Sequence, residues 1–80
     1  MKTSTLTRTE WQDCAMAAQY HRDRLYKFRL WDLGYLCGVE AHTAPGDPAR
    51  ARAEAHVAKT EADLREWRAL AREFQSEASR

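Results

Sequence analysis

Residues 43–48 read TAPGDP, and this hexapeptide decides how the rest of the chain folds. It holds both prolines of the chain and one of its three glycines, and no other segment carries comparable turn chemistry. Asp47 is a good N-cap, and Pro48 suits the first position of a helix, where its missing N–H costs nothing. The hexapeptide therefore splits the chain into two long helical halves. The second half reads as a helix from Pro48 to about Glu77.

Working back from the turn, the first half has an equally clear start. Thr7 is an N-cap, Glu10 three residues on completes a capping box, and Leu6 and Trp11 occupy the two staple positions. These signals predict a helix from Arg8 to about His42. Residues 1–6 then form a flexible N-terminal tail, residues 43–47 the inter-helix turn, and residues 78–80 a frayed C-terminus of a single domain spanning 1–80.

Each half carries an apolar stripe at heptad-like spacing. On the second helix it runs Ala53, Val57, Thr60, Leu64, Trp67, Ala71, Phe74, Ala78, and on the first Trp11, Cys14, Ala18, His21, Leu25, Phe28, Asp32, Tyr35, Val39. A short turn makes the helices antiparallel, so that facing residues have numbers summing to about 92. That alignment sets Leu25 beside Trp67, Phe28 beside Leu64, Tyr35 beside Val57 and Ala18 beside Phe74. It also brings Thr60 opposite Asp32, the one acid of either stripe, where a pairing with the Thr60 hydroxyl or with Arg29 would fix the register. The fold class is all-α, an antiparallel two-helix hairpin.

One hairpin cannot cover every apolar residue of the first helix. Leu25, Phe28, Tyr35, Leu36 and Val39 lie on one side, while Tyr26, Leu30, Leu33 and Cys37 lie on another, spaced 4, 3 and 4. A helix that is apolar nearly all round needs burial in something larger. Gly34 and Gly38, in GYLCG, add a site where another backbone can approach closely. The expected oligomer interface is Tyr26, Leu30, Leu33, Gly34, Cys37 and Gly38, with the hairpin self-associating into a four-helix bundle, as a homodimer, or into a larger helical assembly. Ala51, Ala55, Ala58, Ala62 and Ala69 form a small-residue back on the second helix that suits helix propensity or another close contact.

Composition narrows the function classes. With 13 Lys and Arg against 12 Asp and Glu, the chain lacks the strongly basic balance of a general DNA binder. Cys14 and Cys37 lie 23 positions apart, roughly 34 Å along one helix, too far to bridge, which suits reduced thiols and a cytoplasmic location. No stretch has the apolar length of a membrane span, and none near the N-terminus has that of a signal peptide. His21, His42, His56 and Asp32 do not share a metal-ligand spacing, and no glycine-rich phosphate loop or activated nucleophile is evident. Neither a metal, a cofactor nor an enzymatic reaction is expected.

Residues 20–31, YHRDRLYKFRLW, hold what remains. Leu25 and Phe28 go to the hairpin core, and Tyr26 and Leu30 to the second apolar face. Tyr20, Arg24, Lys27 and Trp31 fall on the remaining side, with Arg22 and Arg29 flanking the core. Trp, Tyr and Arg are the residues that dominate protein interfaces. The expected partner-binding set is therefore Tyr20, Arg22, Arg24, Lys27, Arg29 and Trp31. The function this suggests is that of a small homo-oligomeric adaptor or inhibitor acting on another protein, of the kind phages and mobile elements encode. The alternative is a binder of small nucleotides or single-stranded nucleic acid, with Tyr20 or Trp31 stacking and the basic side chains taking phosphates.

Overall fold

A computed structural model describes residues 6–80. Two helices, α1 (Arg8–His42) and α2 (Pro48–Ala78), pack against each other as a hairpin about 54 Å long. Both starts fall where the capping signals place them. The expected tail, residues 1–6, lies outside the described residues apart from Leu6, which is half-buried.

The capping box of α1 is complete: the Glu10 N–H donates to Thr7 Oγ1 at 3.2 Å, and the Thr7 N–H donates to Glu10 Oε1 at 2.9 Å. The bonds from Thr7 hold the Glu10 carboxyl below its ordinary value of 4.5. A carboxyl lowered on folding favours the folded state wherever it is ionised. Its contribution is complete above the ordinary value and is lost as pH falls through the lower folded value. Glu10→Gln keeps the acceptor but not the charge, so this variant will lose less stability on acidification than the parent. Urea melts from neutral pH to about pH 3 measure the difference; parallel curves would show that Glu10 contributes no pH dependence.

The turn is closed from both sides. Gly46 takes a φ of 90°, where a side chain would be strained. The Asp47 N–H donates to the Ala44 carbonyl at 3.1 Å, while Asp47 Oδ1 accepts the Ala49 N–H at 2.8 Å. Arg50, one turn into α2, reaches back to the end of α1. Its guanidinium donates to the carbonyls of Glu40 and Thr43, each at 2.7 Å, and to Thr43 Oγ1 at 3.1 Å. These bonds satisfy carbonyls that the end of α1 leaves unpaired.

The core follows the α2 stripe closely. Ala53, Val57, Thr60, Leu64, Ala71 and Ala78 are buried, and Trp67 and Phe74 are half-buried. The buried polar pair is the expected one, with Thr60 Oγ1 donating to Asp32 Oδ2 at 2.7 Å. Toward the open end, Trp67 stacks on His21 with ring centroids 4.7 Å apart, and Phe74 meets Trp11 at 5.6 Å. The ring contacts there lie a turn or more from the pairs Leu25–Trp67 and Ala18–Phe74.

On α1 the stripe needs correction. Trp11, Ala15 and Ala18 are buried, but Tyr35, assigned to the core beside Val57, is 67% exposed. Cys14 is only half-buried and His21 is exposed. A strict seven-residue repeat drifts about 20° per heptad on a straight helix. By Tyr35 that drift has carried this position off the core, while Asp32 and Val39 of the same stripe stay half-buried and Leu33 and Leu36 turn inward, half-buried, beside them. Arg29 does not pair with Asp32 but with Glu61, at 3.0 Å. Helix α2 ends at Ala78, which is buried; beyond it the Ser79 N–H donates to the Gln75 and Ser76 carbonyls, and Arg8 Nη2 donates to the Arg80 carbonyl at 2.5 Å.

Candidate interaction surface

Helix α1 continues unbroken through Gly34 and Gly38, so its outer face is a single long surface. Met16, Tyr20, Leu30 and Trp31 are between 61% and 68% exposed on it. Side chains three or four positions apart on a helix touch, and YHRDRLYKFRLW uses that spacing to build a cluster. The Arg24 guanidinium lies 5.7 Å from the Tyr20 ring centre and 5.6 Å from that of Phe28. Phe28 in turn meets Trp31 at 5.5 Å. Together with Lys27 these four residues line a shallow cleft of ≈320 Å³. The cation lies within reach of both rings, a contact of about 0.5–1 kcal/mol at an exposed site.

Of the six residues assigned to a partner, the structure brings together Tyr20, Arg24, Lys27 and Trp31. Arg22 and Arg29 turn to the other flank of α1, where Arg22 bonds Asp23 at 3.1 Å and Arg29 bonds Glu61. The six residues assigned to an oligomer interface are also divided. Leu30, Gly34, Cys37 and Gly38 are exposed, whereas Leu33 is half-buried. Tyr26 is 43% exposed and carries Arg68, whose guanidinium is 4.7 Å from its ring centre and also donates to its hydroxyl.

Gly34 and Gly38 have no role inside the hairpin that an alanine could not fill. A Cβ added at either would meet nothing within 4 Å. Each glycine inside a helix costs about 1 kcal/mol relative to alanine. What the pair provides is a bare strip of backbone on the outer face, beside Leu30 and Trp31.

No protein-family model, curated protein or solved structure matches this chain. The chemistry of its surface therefore rests on its own geometry.

Sequence reasoning missed a third feature. His56 Nε2 lies 3.3 Å from Asp32 Oδ1, so the carboxylate is shared between His56 and Thr60. His56 stands one turn before Thr60 on α2, and an acid that reaches one can reach the other; that spacing was the available signal. The pair opens on a cleft of ≈390 Å³ lined also by Tyr35 and Arg52. The His56 side chain is 68% exposed while that of Asp32 is 14% exposed. The imidazole is thus a surface cover on a register-setting carboxylate. Among the described residues no three His, Cys, Asp or Glu side chains gather as a metal site would require, and no helix is long and apolar enough to cross a membrane.

Proposed function

We propose that this chain is a non-enzymatic interaction protein, an adaptor or inhibitor, that self-associates and presents the outer face of α1 to a protein partner. The observation that carries this reading is the Tyr20–Arg24–Phe28–Trp31 cluster, in which Tyr20 and Trp31 are 61% and 66% exposed and the Arg24 guanidinium lies between the Tyr20 and Phe28 rings. Exposed aromatic and arginine side chains held in fixed geometry are what protein hot spots use. Self-association draws support from the surface. Leu30 and Trp31 are 64% and 66% exposed on the outer face of α1, beside the bare backbone at Gly34 and Gly38, and a second copy packed there would bury them.

The test is affinity capture with the intact chain and two double variants. Tyr20→Ala with Trp31→Ala is expected to lose a bound protein by more than about tenfold, because ring burial dominates such contacts. Arg24→Ala with Lys27→Ala is expected to weaken it less, with modest salt dependence. The reverse order, with steep salt dependence and a nucleotide or nucleic acid recovered in place of a protein, would replace this reading with the nucleotide one.

A further inference from the structure

A second groove runs along the other flank of the hairpin. Tyr26 and Phe28 are two positions apart, about 200° round the helix, so the flank carrying Tyr26 faces away from the ring cluster. Its walls carry Arg22, Tyr26 and Arg29 on α1 and Arg65, Arg68 and Arg72 on α2. They form two adjoining clefts of ≈310 and ≈360 Å³ that share Tyr26 and Arg68. Arg22 and Arg72 line the first with Asp23, and Arg29 and Arg65 line the second with Glu61. Five arginines against two carboxylates leave three positive charges uncompensated, in a chain whose formal net charge is only +1.

The hairpin itself uses only part of this arrangement: Arg29 pairs with Glu61 across the two helices, and Arg68 packs on Tyr26. Arginine shares a cleft with arginine at two successive levels, and like charges held close repel. Only Arg22 and Arg29 have acidic partners, Asp23 and Glu61. Arg65 and Arg72 are exposed and form no ion pair among the described residues. An anion seated between the walls would turn that repulsion into charge-assisted bonding, because guanidinium groups hold carboxylates through paired N–H donors.

The spacing selects the kind of anion. Arg22 and Arg29 are one heptad apart, as are Arg65 and Arg72, so each wall repeats about every 10.5 Å. A third helix with carboxylates at every seventh position has the same repeat, and a further acid three or four positions on would meet Arg68 between the two levels. A single-stranded nucleic acid would use a series of bare rings for its bases. This groove has one ring, and Arg68 covers its face. We propose that the groove between α1 and α2 docks an acidic helix of a protein partner, with heptad-spaced carboxylates on Arg22, Arg29, Arg65, Arg68 and Arg72. This surface is separate from the outer face of α1, and the two can be occupied together.

The experiment is a fluorescence anisotropy titration of the full chain with a synthetic helical peptide about three heptads long. The peptide carries Glu at heptad positions and at one intervening position per turn pair; a second peptide has the same composition with the Glu residues moved off that spacing. The expected result is saturable binding of the first peptide at low salt, about tenfold tighter than the second. Arg65→Glu with Arg72→Glu should weaken it by more than about tenfold. Glu61→Gln, which releases Arg29, should tighten it several-fold. Circular dichroism checks that the variants, all at exposed or half-exposed positions, stay folded. No saturable binding, or equal binding to the charge-reversed variant, would overturn the proposal. So would binding of an oligothymidine strand that depends on Arg65 and Arg72 while the peptide is ignored.

Discussion

Leu64→Ala is expected to remove about half or more of the stability of the chain. Leu64 is 3% exposed and is the largest aliphatic side chain in a core otherwise built from Trp11, Val57 and alanines. Truncating a buried leucine costs about 2–5 kcal/mol, the higher values applying where neighbours cannot close the void. Alanines have no side-chain reach with which to fill it. Stabilities of about 0.05–0.15 kcal/mol per residue give roughly 4–12 kcal/mol for a chain this long, and a two-helix core belongs at the lower end. The substitution therefore removes much of what holds the hairpin together. Ala62→Ser, on the exposed back of α2, serves as the control and should shift the urea midpoint little. A loss below about 1 kcal/mol for Leu64→Ala would mean that contacts outside the hairpin carry most of its stability.

The second large effect is on assembly. At tens of micromolar the parent chain is expected to sediment as a dimer or larger species, and Leu30→Asp as a monomer. Leu30 is 64% exposed and stands beside the open strip at Gly34 and Gly38. A carboxylate there costs the isolated hairpin almost nothing but would be buried without a partner in any close contact at that strip. Sedimentation velocity reads the species, and circular dichroism the helix content of each. Leu33→Asp is the informative companion. Leu33 is half-buried inside the hairpin, so this change should cost folding as well as assembly. If the parent is a monomer at that concentration, the self-association half of the proposed function is wrong and the outer face of α1 is free for partners alone.

What could be read from the sequence, and what could not, follows from how far each interaction reaches. The caps at Thr7 and Asp47 involve residues two or three apart, and both are visible as words in the sequence. The α2 stripe is regular enough that its period alone finds the inward face, with Trp67 and Phe74 half-buried on it and the other members buried. Asp32 and Thr60 could be matched because each is the odd polar member of its stripe. Tyr35 was misplaced because helical drift accumulates along α1, and a small angular error per heptad becomes a change of face. The contact of His56 with Asp32 is illegible for a different reason: His56 lies off the stripe and joins Asp32 only through the reach of its side chain. The arginine groove was least legible. Arg22 and Arg29 were visible as flanks of YHRDRLYKFRLW, but their companions Arg65, Arg68 and Arg72 lie some forty positions away in an ordinary solvated pattern. Only the register of the two helices makes them one surface.

The bonds of Arg50 to Glu40 and Thr43 also say something about the order in which the hairpin assembles. A carbonyl at the end of α1 finds its donor on the first turn of α2, so neither helix end is finished until the other exists. The segment between them is short, so bringing these groups together closes a loop of about ten residues at small entropic cost. The opposite ends, where Arg8 meets the Arg80 carbonyl, must instead close nearly the whole chain. Pairing therefore starts at the turn and travels outward one helical turn at a time, each step enclosing little extra chain. A protein joined in this way has low contact order and folds fast for its size. By the same ordering, the end that holds Trp11 and Phe74 is expected to open first, which hydrogen exchange of its amides would show.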